Sequence, residues 1–447
     1  MRLGTRRPAR QATQRKRQAP KTVPDSGASG DTVVIERLSH DGRGVAHDAS
    51  GKTLFVDGAL PGEQVRIRCH RQRSRFDEAH VVEIVRVSHE RVEPACQHAE
   101  VCGGCSLQHF DIDAQRRFKQ QVLSEHLARE GVTAPESDII SASSYGYRRR
   151  ARLGVKVDGK GVVRFGFRRA NSERLFDIAE CPVLEPELEA LLAPLKRHLD
   201  ELAAPRLVGH VELLHSGTST VRVHQLKAHA DDQARWQQFA ARQQVAIEFS
   251  ERQGGGTEAP VRLQHYPLQA GAHRLEIGFK PGDFIQVNGQ VNQALIARVL
   301  ALLSNTDSQQ VLDLFAGVGN FSLPLAANGF QVRAIEGSDT MVQRLLHNAS
   351  ASGLEIAAEA RDLNNAPNVA GIDAVVLDPP RDGAQAVATA LASDGPRWIA
   401  YVSCNPATLA RDARILQEGG YRLHQLSLVD MFPHTAHLES LSLFVRR

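Results

Sequence analysis

Over residues 276 to 447, apolar runs of strand length alternate with amphipathic runs of helix length, and nothing else in the chain constrains the fold as tightly. "QVRAIEG", "IDAVVLD" and "IAYVSC" are nearly continuous in apolar residues, as strands covered on both faces must be. Successive parallel strands need a crossover, and the intervening helical runs supply it. The pattern predicts a doubly wound parallel sheet, whose ligands sit at the carboxyl ends of its strands.

The residues at those ends carry chemistry. "QQVLDLFAGVGNFSLPLAANG" reads as strand, glycine turn and helix. Gly317 and Gly319 let backbone approach a ligand at the helix N-terminus, but Ser322 stands where a dinucleotide fingerprint wants a third glycine. The next strand ends in Glu336, placed to hold ribose hydroxyls. A third run leads to Asp362, a candidate for an adenine amino group, and a fourth ends in Asp378-Pro379-Pro380. In this order the series resembles the class I S-adenosylmethionine methyltransferases. Arg381 follows the corner where adenine N-methyltransferases usually place an aromatic residue, and the second cysteine of RNA cytosine C5 enzymes is missing.

Cys404 ends the run "IAYVSC", and Asn405-Pro406 breaks the chain before the helical "ATLARDARIL". By position alone it is either a small packed thiol or a nucleophile at the sheet edge. A methyltransferase with one cysteine there suits carbon 5 of uracil, which is a poor nucleophile until a thiolate adds to carbon 6. A base must afterwards remove the carbon 5 proton. "MFPHTAHLESLSLFVRR" offers His434, His437 and Glu439, of which Glu439 opens the last strand. Arg381 is the cation expected to favour the thiolate.

The rest of the 447-residue chain has room for roughly two further domains. No apolar run reaches the ~20 residues of a membrane span, and the start lacks the apolar core of a secretory signal. Residues 1 to 30 form a basic arm expected to be disordered. Residues 31 to 92 read as five short strands separated by turns, a small closed barrel of the oligonucleotide-binding kind. The strand "VRIRCHR" would turn one face basic and pack Cys69 inside. Residues 93 to 275 form a mixed α+β region with "ERQGGGTEAP" as an internal loop. In it Arg148, Arg149, Arg150, Arg152, Lys156, Lys160, Arg164, Arg168, Arg169 and Arg174 interleave with Tyr145, Tyr147, Phe165 and Phe167. That mixture suits RNA, through phosphate contacts and base stacking.

Cysteine usage points to a reducing cytoplasm. Cys96, Cys102 and Cys105 are spaced C-x5-C-x2-C, with Cys181-Pro182 a fourth candidate further on. Four thiolates suit zinc or an iron–sulfur cluster; one triplet with a remote Cys-Pro favours [4Fe–4S] over zinc.

"FKPGDFIQVN", "LDLFAGVGNFSLPLA", "LDPPRDG", "YVSCNPATLARD" and "HTAHLESL" together resemble the RNA uracil-C5 methyltransferase family, from about residue 31 to the end. The resemblance implies a multidomain α/β protein: a TRAM-type barrel, a central RNA-binding domain and a Rossmann-like methyltransferase domain. It makes Cys404 the nucleophile and Glu439 the base. It places Gln286, Phe315, Asn320, Glu336, Asp362 and Asp378 on S-adenosyl-L-methionine, and it supports the cluster on the four cysteines. The branch with barrel and cysteine triplet is similar to the 23S ribosomal RNA enzymes, so 23S rRNA is the expected partner of a monomer. Another uridine in 23S rRNA or tRNA, a non-catalytic RNA-binding assembly factor and a redox sensor are the competing readings.

Overall fold

The computed structural model describes residues 32–251, 263–365 and 367–446. The basic arm and most of the "ERQGGGTEAP" loop lie outside them. The described chain forms two compact units, one ending at Ser88 and the other beginning at His89, with residues 40–42 counted in the second.

The first unit is a single six-stranded sheet, one strand more than expected. The extra strand arises because "TVVIERL" bends after Val34. Thr32–Val34 pairs with Gln64–Gln72, whereas Arg37–Leu38 pairs with Gly44–His47. These are opposite ends of the sheet order, so one bent segment joins both edges and closes the barrel. Val33, Ile35, Val56, Val65, Ile67 and Ala79 fill it. Arg66 and Arg68 are exposed, giving the expected basic face, although Arg66 is paired with Glu83 at 3.0 Å. Cys69 is exposed rather than packed. The strand slips register between Cys69 and Arg71 as it runs past the apolar core.

In the second unit an eight-stranded sheet carries the alternating segment. Its order is 356–360, 331–336, 310–314, 374–377, 398–403, 439–446, 421–429 and 138–140. The five strands from 356–360 to 398–403 are parallel, and Glu439–Arg446 inserts antiparallel between Trp398–Ser403 and Tyr421–Val429. The order reverses between Gln310–Leu314 and Ala374–Leu377, which opens the crevice of a doubly wound fold. One face packs on Gly289–Ser304 and the hairpin Gln264–Ala270/His273–Phe279. The other packs on Gln385–Asp394, Pro406–Glu418 and Ile112–Arg129. The boundary expected at 275/276 falls inside that hairpin. The strand Asp138–Ile140 pairs parallel with Tyr421–Val429, so a segment from before the central sheet completes this one.

The central sheet has five strands, ordered 246–251, 219–225, 208–215, 150–157 and 163–166. Its inner face packs Leu153, Phe165, Val211 and Val221 against Leu192, Leu195, Leu199, Trp236 and Phe239. The cation-rich stretch is divided between roles. Arg152, Lys156, Lys160, Arg168, Arg169 and Arg174 are exposed. Arg150 is paired with Glu212 at 2.6 Å and Arg164 with Asp177 at 2.7 Å. Arg149, Tyr147 and Phe165 are buried. Strand alternation sends every second side chain inward, so only part of that stretch is available to a ligand.

Candidate active site

The expected nucleophile and base meet through register. Ser403 pairs with Ser440 in the antiparallel ladder, so the next step sets Cys404 beside Glu439. Cys404 is half-buried between its strand and the helix Pro406–Glu418. Asn405 caps that helix by accepting from the Ala407 N–H at 3.0 Å, and its Nδ2 donates to the Arg381 carbonyl at 3.0 Å. Thr408 Oγ1 donates to the same carbonyl at 3.3 Å. The Asp-Pro-Pro-Arg corner and the cysteine turn are thereby stapled together.

The electrostatics oppose ionisation at rest. Burial raises the Cys404 thiol, Glu439 and Asp378 raise it further, and Arg381 lowers it. Arg381 thus acts on Cys404 in the expected direction without prevailing. Burial and the neighbouring Asp378 push Glu439 up to about 8, against Lys119 and Arg381. A carboxyl with such affinity for a proton is a capable base once ionised.

His434 and His437 separate cleanly. His434 is buried in left-handed backbone (φ 64°), and its ring lies 4.4 Å from that of Tyr145. Burial holds it down at about 4, so it is a neutral packing residue. His437 is exposed as a residue, but the partial burial of its ring and then Arg381, Lys119 and Arg148 lower its pKa.

Of the expected cofactor residues, Phe315, Glu336, Asp362 and Asp378 end or follow strands at the carboxyl edge of the sheet, Asn320 lies in the glycine turn, and Gln286 precedes the helix Gly289–Ser304. The glycine turn adopts positive φ at Phe315 (63°), Gly317 (57°) and Gly319 (100°). A Cβ on Gly319 would come within 2.0 Å of Leu323 Cδ1. Glu336 accepts from the Gly317 N–H at 3.0 Å and the Ser338 N–H at 3.2 Å, which fixes its carboxylate beside the turn. Asn320 exchanges two amide hydrogen bonds with Asn292, at 2.9 and 3.0 Å. Gln286 is buried, and its carbonyl accepts from Arg149 Nε at 2.7 Å. Burial raises Asp378 to about 7. Asp362 lies next to Glu336, since the Arg361 N–H donates to the Glu336 carbonyl. Its carboxylate, however, is exposed and accepts from Asn364 at 2.9 Å, closing its own turn.

Sequence reasoning missed several supports. Ser322, noted only as a missing glycine, donates its hydroxyl to the buried Asp313. Lys119 is buried on the helix Ile112–Arg129, donating to Asp430 at 2.8 Å and the Phe432 carbonyl at 3.0 Å. Its signal was available: Gln115, Lys119, Val122 and Leu123 fall on one helical face, with a lysine at a core position.

The four candidate metal cysteines also converge. Cys105 is raised to about 11 by burial, with Cys102 and Cys96 adding to it. Cys181 is raised to about 12, by burial and then by Cys105, Cys102 and Cys96. The Gly103 N–H donates to the Arg168 carbonyl and the Ala170 N–H to the Val101 carbonyl, which fastens the loop to the central sheet's hairpin. The Gln97 N–H donates to Glu180 at 3.0 Å, next to Cys181. Among the described residues, no three of the cysteine sulfurs lie within 4.8 Å of one another.

Known proteins bear on this geometry. The family model described as tRNA (Uracil-5-)-methyltransferase matches residues 111–361 and 368–447, and a TRAM domain model matches 32–82. A Chromohalobacter salexigens protein named 23S rRNA (uracil(1939)-C(5))-methyltransferase RlmD is 48% identical, over 99% of this chain and 95% of its own length. A Vibrio cholerae protein of the same name is 41% identical, over 93% and 96%. The fold matches that of Pyrococcus abyssi tRNA (uracil-54, C5)-methyltransferase in complex with S-adenosyl-L-homocysteine. There the TM-score is 0.74 at 24% identity, over 93% of this chain and all of the other.

Proposed function

The chain belongs to the tRNA (uracil-5-)-methyltransferase family, and from that membership we propose that it methylates carbon 5 of uridine 1939 in 23S rRNA. The register that sets Cys404 beside Glu439, at the sheet edge shared with the glycine turn, carries the reading. S-adenosyl-L-methionine supplies an electrophilic methyl group, and Gln286, Phe315, Asn320, Glu336, Asp362 and Asp378 are the residues to hold it. The Cys404 thiolate adds to carbon 6, and the electron pair passes to carbon 5, which takes the methyl group. The Glu439 carboxylate then removes the carbon 5 proton. The pair left behind restores the ring double bond, and the carbon–sulfur bond breaks to release the thiolate.

The uridine must be flipped out of any helix, at a cost of a few kcal/mol. The exposed cations Arg152, Lys156, Arg168 and Arg169 are the groups to offset it through phosphate contacts. Cys96, Cys102, Cys105 and Cys181 fit a [4Fe–4S] cluster. Burial and mutual repulsion raise Cys105 to about 11 and Cys181 to about 12, so the four ionise together only when a metal centre takes up their charge. The role proposed for it is folding of the RNA-binding surface, ahead of redox regulation. Among the described residues no helix is long and apolar enough to cross a membrane, and a reducing cytoplasm suits four such thiols.

Incubation with S-adenosylmethionine and 5-fluorouridine-substituted RNA tests the reaction, because fluorine cannot leave as a proton. A denaturation-resistant band on a 23S rRNA domain, mapped to Cys404 and absent in Cys404→Ala, is expected. A band on tRNA alone moves the substrate, and no band with either RNA sinks the catalytic reading. Purification without oxygen should give four irons per chain by the cubane stoichiometry; one stoichiometric zinc would overturn the cluster.

A further inference from the structure

The loop that delivers Glu439 is gripped from the cysteine side of the molecule. Residues 430 to 438 connect the two antiparallel strands that meet at the Val429–Glu439 pair. The His434 carbonyl accepts from the Leu107 N–H at 3.0 Å, two residues beyond Cys105. Gln115 is fully buried and reads both partners. Its Nε2 donates to the carbonyls of Leu107 (2.9 Å) and Phe110 (2.7 Å), while its Oε1 accepts from the His434 N–H at 2.9 Å. The Tyr147 hydroxyl donates to the Pro433 carbonyl at 3.2 Å. On the other side of Leu107, Gln108 Oε1 accepts from the Cys96 N–H at 3.3 Å. Hydrogen bonds thus link Cys96 to Gln108, and the adjacent Leu107 directly and through Gln115 to the base's loop. His434 pays for its left-handed φ, which only surrounding contacts can maintain.

We propose that Gln115 is a positioning residue that ties the cysteine loop to the Glu439 loop, and that Tyr147, whose N–H donates to the Val183 carbonyl at 3.1 Å two residues beyond Cys181, braces the same loop from the Cys181 segment, so that order around the thiol quartet sets the rate of proton removal and not of thiol addition. This rests on the reading of Glu439 as the base. Cys404 sits on a different strand, capped by Asn405 and stapled to Arg381, and none of those contacts involves residues 430 to 438. A loosened base loop therefore leaves the methylated adduct intact and delays its resolution. The step affected is transfer of the carbon 5 proton to the carboxylate, with the electron pair returning to the ring and the thiolate expelled.

The test uses the full chain purified without oxygen, as wild type, Gln115→Ala, Tyr147→Phe, Glu439→Gln and Cys102→Ser. Two rates are compared: tritium release from RNA carrying 5-tritiated uridine, and adduct formation on 5-fluorouridine RNA, which needs no proton removal. Gln115→Ala should slow tritium release about tenfold or more while adduct formation stays within about twofold. Tyr147→Phe, which removes one hydroxyl and keeps its volume, should show the same split more weakly. Amide exchange over residues 430 to 438 should accelerate in Gln115→Ala and Cys102→Ser. Equal loss of both rates, no loss of either, or unchanged exchange in that segment would overturn the coupling. If Glu439→Gln releases tritium at the wild-type rate, the base assignment fails instead, and the exchange measurement alone decides whether the loops are tied.

Discussion

Replacing Lys119 by Met should both destabilise the protein and move its activity to higher pH. Lys119 and Asp430 are each only 1% exposed and meet at 2.8 Å. Removing one partner of such a pair leaves a buried uncompensated charge, a loss of about 3–5 kcal/mol. Arg116 still reaches Asp430 at 3.1 Å and retains part of the neutralisation, so the lower end, about 3 kcal/mol, is expected. The lost bond to the Phe432 carbonyl adds to it. Lys119 is also one of the two cations that lower Glu439, so the alkaline rise of turnover should shift upward in pH. Urea unfolding followed at pH 7.5 measures the first effect, and the pH profile of tritium release the second. The double variant Lys119→Met/Asp430→Leu leaves neither charge of the pair buried and should regain much of the stability. The reasoning fails if the single variant unfolds within about 1 kcal/mol of wild type, if the double is no better, or if the profile stays put or moves to lower pH.

In the wild type, turnover should climb with pH through about 8, where Glu439 ionises; a flat profile from pH 6.5 to 9 would remove the base role. Stability should move the opposite way. A carboxyl raised from 4.5 to about 8 binds its proton more tightly when folded, so the unfolding free energy should fall as pH rises through that window in a denaturant series. Gly319→Ala forces a Cβ into Leu323 at a φ that L residues avoid; a loss of about 1–3 kcal/mol and weakened binding of S-adenosylhomocysteine by calorimetry are expected. Ser322→Ala strips a donor from Asp313, whose Oδ1 already lacks a partner. The cost should be about 1–3 kcal/mol. It should be greater at pH 8.5 than at pH 6 in thermal melts, because Asp313 titrates near 7 and only its ionised form needs that donor.

What was legible in the sequence follows from how local each feature is. The parallel strands, the glycine turn and the placement of Cys404 at a strand end could be read because apolar runs and breakers mark them within a dozen residues. That Cys404 faces Glu439 needed the insertion of Glu439–Arg446 between two earlier strands, a long-range pairing that no local pattern encodes. Within the cation-rich stretch, Arg149 misled for a similar reason. Arg149 looks like its neighbours, yet it lies over the Tyr266 ring at 4.2 Å because the hairpin 264–279 folds back upon it. Cys69 was expected inside because alternation was carried on from Val65 and Ile67, past the point where the strand leaves the apolar core. Asp362 was placed by motif alone, and only the structure reveals that its carboxylate closes its own turn.

The central sheet has a mechanical consequence. The chain leaves the eight-stranded sheet after Ile140 and returns to its packing layer at Gln264, so two covalent crossings join the bodies. Arg149 and Tyr147 bolt them again, through the Gln286 and Pro433 carbonyls. Among the described residues the Arg149 N–H also donates to the Val287 carbonyl and Arg150 to the Asp283 carbonyl, and a body held by several such contacts swivels less freely than one on a single linker. The cationic surface and the thiol keep a fixed separation, like the jaws of a gauge. An RNA that spans both is expected to supply the bending the fit requires, which the methylation rates of stiffened and pliant substrates would check.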